Sequence, residues 1–558
     1  MDNKKTFNFN EVFDAAELVK MYESEAADRS TLDALYQELA ELTFPRKDNI
    51  IKIRHTEQKV ENQEVYDDTA IQANITLSNG LQTYLTPPNV KWFNLRVRNE
   101  ALSEDEDIKE YFASGGEQIF KTISGSNFSE QIHENYLDLG GFGTSCIFVD
   151  EDEKDDVRFY TLSIPHGVYI WEDSKGRVNK IMRKVEFTTT QALEEFSNDA
   201  GENILKAWGA KDYDKKFKFL HCVGERHVRK AGKKDAKNLP YYSKWVNLEM
   251  KKLVKESGYH EMPFFVARFY KNPTSKYGFS PNMMCLPSIK SANRARRQIL
   301  QAGDIALQPP LDVPYKGYMG RININPQAVN YRRQGDQDGQ GIRPIVTIDP
   351  RGYSFSGENL QDLRNSIKQA YFVNMFLALE EKTNMTATEV AERINEKMAQ
   401  LGPALKRLEN EMLQGIIHRV FMILLRAGKI AQPPESLAID GGEYDIAYTS
   451  RLELAQKMSE VNGVNQYLNS MAANAQMHPE ILDNVDFDNV SKYLEGAYSV
   501  NPMITRRPED RDAIRKQRAE QAQQQAMLQA FQVASQSGKN LASAEKETKQ
   551  GDAIGRAA

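Results

Sequence analysis

The sequence predicts an α+β fold, helical at both ends with an antiparallel β region in its first half. Three observations carry this. Leu32, Leu35, Tyr36, Leu39 and Leu42 recur at helical spacing near the start. Residues 142–270 break into short runs (SCIFVD, RFYTL, GVYIW, NKIMRKVEF, FKFLHCV, WVNLEMKKLV, FFVARFY) rich in aromatic and β-branched residues, the texture of antiparallel strands. Between 390 and 424, Val390, Ile394, Met398, Leu401, Leu405, Leu408, Met412, Ile416, Val420 and Leu424 advance by threes and fours. That stripe implies one helix of about 50 Å at ~1.5 Å per residue, longer than ordinary domains use.

Taken in order, Ser30 is placed as the N-cap of the first helix, and Phe44-Pro45 ends it. A second helix spans 66–86 and stops before Pro87-Pro88. The run FSEQIHENYLDL is helical, and GGFGTS (140–145) follows it as a glycine C-cap and turn into the first strand. The acidic DEDEKDD (150–156) and basic RKAGKKDAK (229–237) stretches are expected as hairpin loops. A helix over 287–303 ends at Gly303, and a Pro- and Gly-rich segment from 308 to 357 carries QPPLDVP, RININ, RRQGDQDGQG and IRPIVTI.

Helix resumes at 358 with Leu360, Leu363, Ile367 and Ala370 on one stripe, until the polar break EEKTN (380–384). Thr386 and Glu389 form a capping box that opens the long helix. Gly402-Pro403 lies in its middle, where Pro403 removes one backbone bond and presses on the carbonyl of Ala399, so a kink is expected there. Beyond Gly428 the chain is helical again, becomes Ala/Gln-rich after Arg506, and ends in a polar tail expected to fray.

Composition bounds the function. The 558 residues are 40% hydrophobic and 27% charged with a net charge of −6, which does not suit a free-standing nucleic-acid binder. The 3 cysteines are far apart, so a disulfide framework is not expected and a reducing compartment fits. The opening MDNKKTFNFN has no apolar signal region, and the longest apolar run, Val420 to Leu425, falls far short of the ~20 residues that span a bilayer. A soluble, cytoplasmically made chain is the expectation.

The motifs that could carry chemistry are weak. A phosphate loop follows a strand and opens a helix, whereas GGFGTS follows a helix and opens a strand. His221, Cys222 and His227 form the densest group of potential metal ligands, but strand alternation sends His221 and Cys222 to opposite faces, so no metal site is assigned. Acidic pairs such as those of SEDED (103–107) fall in charge-rich loops, and no catalytic residue or cofactor is assigned. Arg294, Arg296 and Arg297 could form a DNA patch or pair with a neighbouring helix or subunit; 294 and 297 share a helix face and 296 does not. The Ala/Gln-rich helix fits either a close-packed symmetric bundle or solvent.

Three ordered patches carry a resemblance: YGFSP with LPSIKSAN (277–294), PPLDVP (309–314), and NMTATEV followed by LGPALKRLENEML (384–413). The chain resembles the portal, or head-to-tail connector, proteins of short-tailed, podovirus-type phages. The resemblance spans residues 10–510 and is weaker over 190–260 and in the tail.

It implies a ring-forming subunit, usually one of twelve, with a wing at 1–279 (N-terminal helices and antiparallel β region). Stem helices would lie at 280–304 and 357–379, with an α/β clip between them at 305–356. A tunnel loop at 380–386, a long kinked helix and wing at 387–450, a crown at 451–505, and a C-terminal barrel helix with a flexible tail at 506–558 complete the expectation.

The tunnel loop would bring Glu380, Glu381, Lys382 and Asn384 to the channel. The clip would use Tyr315, Tyr318, Tyr331, Arg332 and Arg333 to meet the terminase motor and the tail adaptor. Capsid, scaffold, tail, and internal core or ejection proteins are further implied partners. Duplex DNA would pass without sequence specificity for packaging and ejection; no membrane partner and no enzyme activity are implied. The place would be the portal vertex of the virion. Another symmetric virion protein of tail or scaffold type, and then a metal-dependent hydrolase, are the alternatives.

Overall fold

The computed structural model describes residues 13–45, 47–52, 65–97, 105–227, 229, 235–307, 311–312, 343–344, 350–377, 401–434, 444–448, 451–475, 478–498, 506 and 508–554. The chain divides into two compact units. The first comprises Met1–Leu95, Gly115–Gln432 and Ile446–Asn469; the second comprises Arg96–Ser114, Pro433–Asp445 and Ser470–Ala558. Helices and antiparallel sheets are both present, as an α+β chain requires.

In the first unit, α1 (Ala15–Asp28) and α2 (Ser30–Thr43) meet at a sharp corner. Arg29, not Ser30, occupies the cap position between them, because its buried guanidinium is needed inside. It donates to the carbonyl of Val168, pairs with Asp33 at 2.8 Å, and lies 3.9 Å above the centre of the Tyr169 ring. The α2 stripe packs as its spacing implies, with Tyr36 and Leu39 in the core and Leu32, Leu35 and Leu42 against it.

Next come α3 (Thr69–Leu85), strand β1 (Phe93–Val97), α4 (Glu106–Gly125) and α5 (Phe128–Phe142). Helix α5 ends at Gly143, whose φ of +77° is the left-handed cap expected of GGFGTS. The preceding Gly140 and Gly141 serve close approach: a Cβ there would fall 2.2 Å from Asn74 Oδ1 and 1.9 Å from the Phe44 ring.

The β region forms two antiparallel sheets. Strands β2 (Thr144–Asp152), β3 (Asp156–Leu162) and β9 (Phe264–Arg268) order as β3-β2-β9. The other sheet orders β4 (Val168–Glu172), β5 (Val178–Thr188), β6 (Lys216–Glu225), β7 (Tyr241–Asn247) and β8 (Lys252–Tyr259) in sequence. WVNLEMKKLV is thus the turn of the β7–β8 hairpin, with Lys251 at φ +51°, rather than one run. DEDEKDD contributes mostly strand ends, with Asp152 opposite Asp156. Two short helices that the β texture concealed, α6 (Thr189–Phe196) and α7 (Glu202–Gly209), cover one part of the five-stranded sheet through Phe196, Ile204, Phe219 and Trp245. Helix α1 packs Leu18 and Val19 on Met182, Leu220 and Cys222.

Helix α8 (Pro281–Leu307) starts before 287 and runs on through Gly303, where a glycine stop was expected. Gly303 faces open space, so neither packing nor a positive φ demands a break. Helix α9 (Pro350–Ala370) begins seven residues before the expected 357, and the chain turns at Tyr371 and Phe372 into α10 (Val373–Leu377). Phe372 takes φ +57°, held by burial of Tyr371, Val373 and Phe376. Between α8 and α9, Leu311–Asp312 pairs antiparallel with Arg343–Pro344. In the second unit, the helix Pro508–Ile554 spans 47 residues and includes most of the tail expected to fray.

Candidate functional site

Two assemblies of side chains in the first unit decide how its long helices are held. The first surrounds α8 and begins with YGFSP. Tyr277 donates to Glu25 Oε1 at 3.2 Å, and Lys276 reaches the other oxygen of that carboxylate at 2.5 Å. Gly278 passes so close to Gly143 that a Cβ would lie 2.2 Å from its carbonyl oxygen. Ser280 caps α8 by accepting from the Met283 amide at 3.0 Å and donates to the carbonyl of Gly141 at 2.9 Å. Pro281 then supplies a first helical residue whose missing N–H is no loss.

Further along, α8 and α9 converge on one point. Asn293 Oδ1 accepts from the amides of Tyr66 (2.6 Å) and Asp67 (3.1 Å), and Arg364 of α9 pairs with Asp67 at 2.7 Å. Burial pushes the Asp67 carboxyl up, but the hydrogen bonds from Thr69 and Arg364 outweigh it and hold the pKa below the usual carboxylate value. The start of α3 therefore pins both helices at the same level.

The second assembly holds the long helix. Leu401, Leu405, Leu408, Met412, Ile416, Val420 and Leu424 are all buried, as the stripe requires. Residues 401–408 are α-helical, Glu409–Leu413 widen into a π turn, and Gln414–Arg426 return to α geometry. Gly415 lets the helix lie on β9, since a Cβ there would stand 2.3 Å from the Phe265 ring.

Glu411, inside the π turn, takes Arg268 in a fork, with Nη2 to Oε1 at 2.6 Å and Nε to Oε2 at 3.0 Å. Arg268 also binds Glu172, which pairs with Lys271 at 2.6 Å. Burial alone would lower the Arg268 pKa; the Glu411 and Glu172 carboxylates reverse this and raise it. Arg419 is fully buried, donating Nε to the Val149 carbonyl at 2.9 Å and Nη1 to the Glu261 carbonyl at 3.2 Å. Arg426 meets Glu261 (2.5 Å) and Glu151 (2.9 Å), and Lys429 meets Asp156 at 2.5 Å. The acidic stretch 150–156 thus serves as an internal seat for the helix.

One arrangement invites a catalytic interpretation. His221 Nε2 lies 2.9 Å from Ser243 Oγ, and the imidazole stacks on Trp245 at 4.1 Å. Nδ1, however, accepts from Arg183 Nε at 3.1 Å. That bond leaves the proton on Nε2, so His221 donates to Ser243 and has no lone pair with which to activate it. Burial and the Arg183 charge hold the imidazole pKa well below its ordinary value. In a hydrolase a carboxylate, not a guanidinium, orients that nitrogen. The pair is structural. The thiols of Cys146, Cys222 and Cys285 are likewise inert, pushed by burial to about 12. Among the described residues no group of three or more His, Cys, Asp and Glu is placed to hold a metal, and no helix is long and apolar enough to cross a membrane.

The sequence matches the family described as bacteriophage head to tail connecting protein over residues 15–505. The chain belongs to this family. It is 29% identical to the portal protein of Salmonella phage epsilon15 over 522 residues, 92% of this chain and 93% of that one. It is 28% identical to the probable portal protein of Bordetella phage BPP-1 over 510 residues, 90% of this chain and 91% of that one. The function is that of a phage portal protein, the connector between head and tail.

In this connector, Gly402 and Pro403 lie in the helical stretch 401–408, with Pro403 exposed. The backbone before Leu401 lies outside the described residues; after Pro403 the helix continues, and its departure from α geometry is the π turn. Arg294 and Arg297 are exposed on α8, and Arg296 is half-buried. Arg297 leans on the Tyr66 ring at 5.6 Å. Glu380, Glu381, Lys382, Asn384, Thr386 and Glu389 lie outside the described residues, as do Tyr315, Tyr318, Tyr331, Arg332 and Arg333.

Sequence reasoning did not single out Asp67, Arg364, Arg268, Glu411, Arg419 or Glu261. The signal that could have found Arg268, Glu411 and Arg419 is an ionised residue set on or beside an apolar stripe, which must find a partner once buried.

Proposed function

We propose that the chain assembles into a ring, usually of twelve copies, at one capsid vertex. The ring is the channel through which duplex DNA enters during packaging and leaves during ejection. The observation that carries this is the match to the connector family over residues 15–505, joined to two portal-named relatives that the chain covers over more than nine-tenths of their length.

In this proposal α8 and α9 are the stem, and the segment between them is the clip that docks terminase and the tail adaptor. Residues 380–386 form the tunnel loop, and the long helix runs from that loop into the wing. The region after 451 forms crown and barrel. A channel must let DNA slide. Lysine and arginine contacts raise affinity by releasing counterions, so a lumen lined with them would grip the duplex. An acidic or mixed lumen with few basic rings avoids this, and the net charge of −6 supports such a lining. Glu380, Glu381, Lys382 and Asn384 supply it at the tunnel loop.

Phage heads assembled without this chain should contain no packaged genome; DNA-filled, tailed particles lacking it would refute the proposal. Deleting residues 315–343 should leave rings that bind neither terminase nor adaptor. Rings that still bound both would remove the clip from the account.

A further inference from the structure

Helices α8 and α9 carry exposed charges of opposite sign at the same height. Asn293 and Arg364 both reach Asp67, Asn293 through its backbone amide and Arg364 through its carboxylate. Beyond the far end of α8 and the near end of α9, Leu311–Asp312 pairs antiparallel with Arg343–Pro344. Two matched levels, with residue numbers rising on one strand as they fall on the other, make the helices antiparallel. Going four residues up α8 from Asn293 to Arg297 therefore climbs as far as stepping back from Arg364 to Leu360, about 6 Å at ~1.5 Å per residue. Arg294 and Arg297 stand level with the turn of α9 that carries Glu358 and Asp362.

All four side chains are exposed. Each pair occupies one face of its helix, at spacings of three and four. Arg294, Glu358 and Asp362 have no ion-pair partner among the described residues, and Arg297 has the Tyr66 ring. Among the neighbouring charges, Lys290 pairs with Glu38 and Arg364 with Asp67. The helix pair thus presents a basic stripe and an acidic stripe at one height, neither of them ion-paired among the described residues.

We infer that Arg294 and Arg297 of one copy dock against Glu358 and Asp362 of the next copy. This rests on the ring proposed above and names the surface that closes it. Rotation about an axis preserves height along it. For helices running along the ring axis, groups that meet across a cyclic interface must therefore lie level within one subunit, as these do. The contact is head-to-tail: each copy offers its basic stripe to one neighbour and its acidic stripe to the other. Opposite charges at the contact favour this register, and like charges brought together there oppose assembly.

The test uses four full-length chains: the native chain, R294E/R297E, E358K/D362K, and one carrying all four substitutions. Assembly is read by light scattering and electron microscopy, with melting temperature as the check that each exposed substitution leaves the fold intact. Each two-site variant alone should need at least tenfold more protein than the native chain to close rings. An equimolar mixture of the two should restore rings of alternating copies, and the four-site chain should assemble alone.

The inference is overturned if either two-site variant closes rings as readily as the native chain, which would leave the arginines free to face duplex DNA. It is also overturned if neither the mixture nor the four-site chain recovers assembly while the native chain forms rings. A native chain that gives only monomers would overturn the ring itself, and this interface with it.

Discussion

Arg419→Met probes how the long helix is seated. The guanidinium is wholly buried and donates to two carbonyls, Val149 at 2.9 Å and Glu261 at 3.2 Å, besides lying 3.4 Å from the Glu261 carboxylate. Methionine fills much the same volume but strands both acceptors, each costing about 1–3 kcal/mol when buried and unpaired. Breaking a buried ion pair by removing one partner costs about 3–5 kcal/mol. Arg426 still holds Glu261 at 2.5 Å, so the lower figure, about 3 kcal/mol, applies.

All 4 tryptophans (Trp92, Trp171, Trp208, Trp245) lie in the first unit, so their fluorescence during urea unfolding reports that unit alone. With a slope near ~3 kcal/mol per molar urea, the midpoint should fall by about 1 M. A midpoint within ~0.2 M of the native chain's would refute the claim that Arg419 seats the helix.

Three other outcomes follow from the geometry. Gly415→Ala gains about 1 kcal/mol of helix propensity, yet its Cβ would stand 2.3 Å from the buried Phe265 ring; overpacking of about 1–3 kcal/mol should win, and melting should fall. Gly303→Ala meets open space inside α8 and should raise the melting temperature, by about 0.5–1 kcal/mol of stability.

Lowering the pH from 7 to 5 should destabilise the first unit. His221, His166 and His418 each have their pKa lowered first by burial, so each binds a proton less readily in the fold than in the unfolded chain. The unfolded chain takes up their protons below about 6.5, so each costs up to about 1.4 kcal/mol per pH unit below that point. Asp33 and Asp150, raised by burial, pull weakly the other way. Urea midpoints across this range should slope less in a His221→Gln chain, and an equal slope would count against the assignment.

What was legible in the sequence was local. The helical stripe from Leu401 to Leu424, the strand texture of 142–270 and the left-handed cap at Gly143 each depend on residues a few positions apart. Periodicity and a glycine's freedom are properties of such short windows. What was not legible was long-range: Arg419 and Glu261 are 158 positions apart, Arg268 and Glu411 are 143, and Arg364 and Asp67 are 297.

Two misses were local after all. Helix α6 opens with a capping box of Thr188 and Gln191, visible in TTTQALEEF but masked by the β-rich runs around it. Glycine often ends helices, which predicts a stop at Gly303, whereas a glycine facing open space costs a helix only about 1 kcal/mol and α8 continues through it. The π turn at Glu409–Leu413 has no compositional signal, and the Arg268–Glu411 fork it carries exists only in the fold.

The central claim, a ring around an open channel, is tested most directly by imaging the purified full-length chain and averaging end-on views by electron microscopy. Closed rings with a stain-filled central hole and a fixed rotational symmetry, usually twelvefold, are the predicted result. Monodisperse monomers persisting at high protein concentration would contradict it.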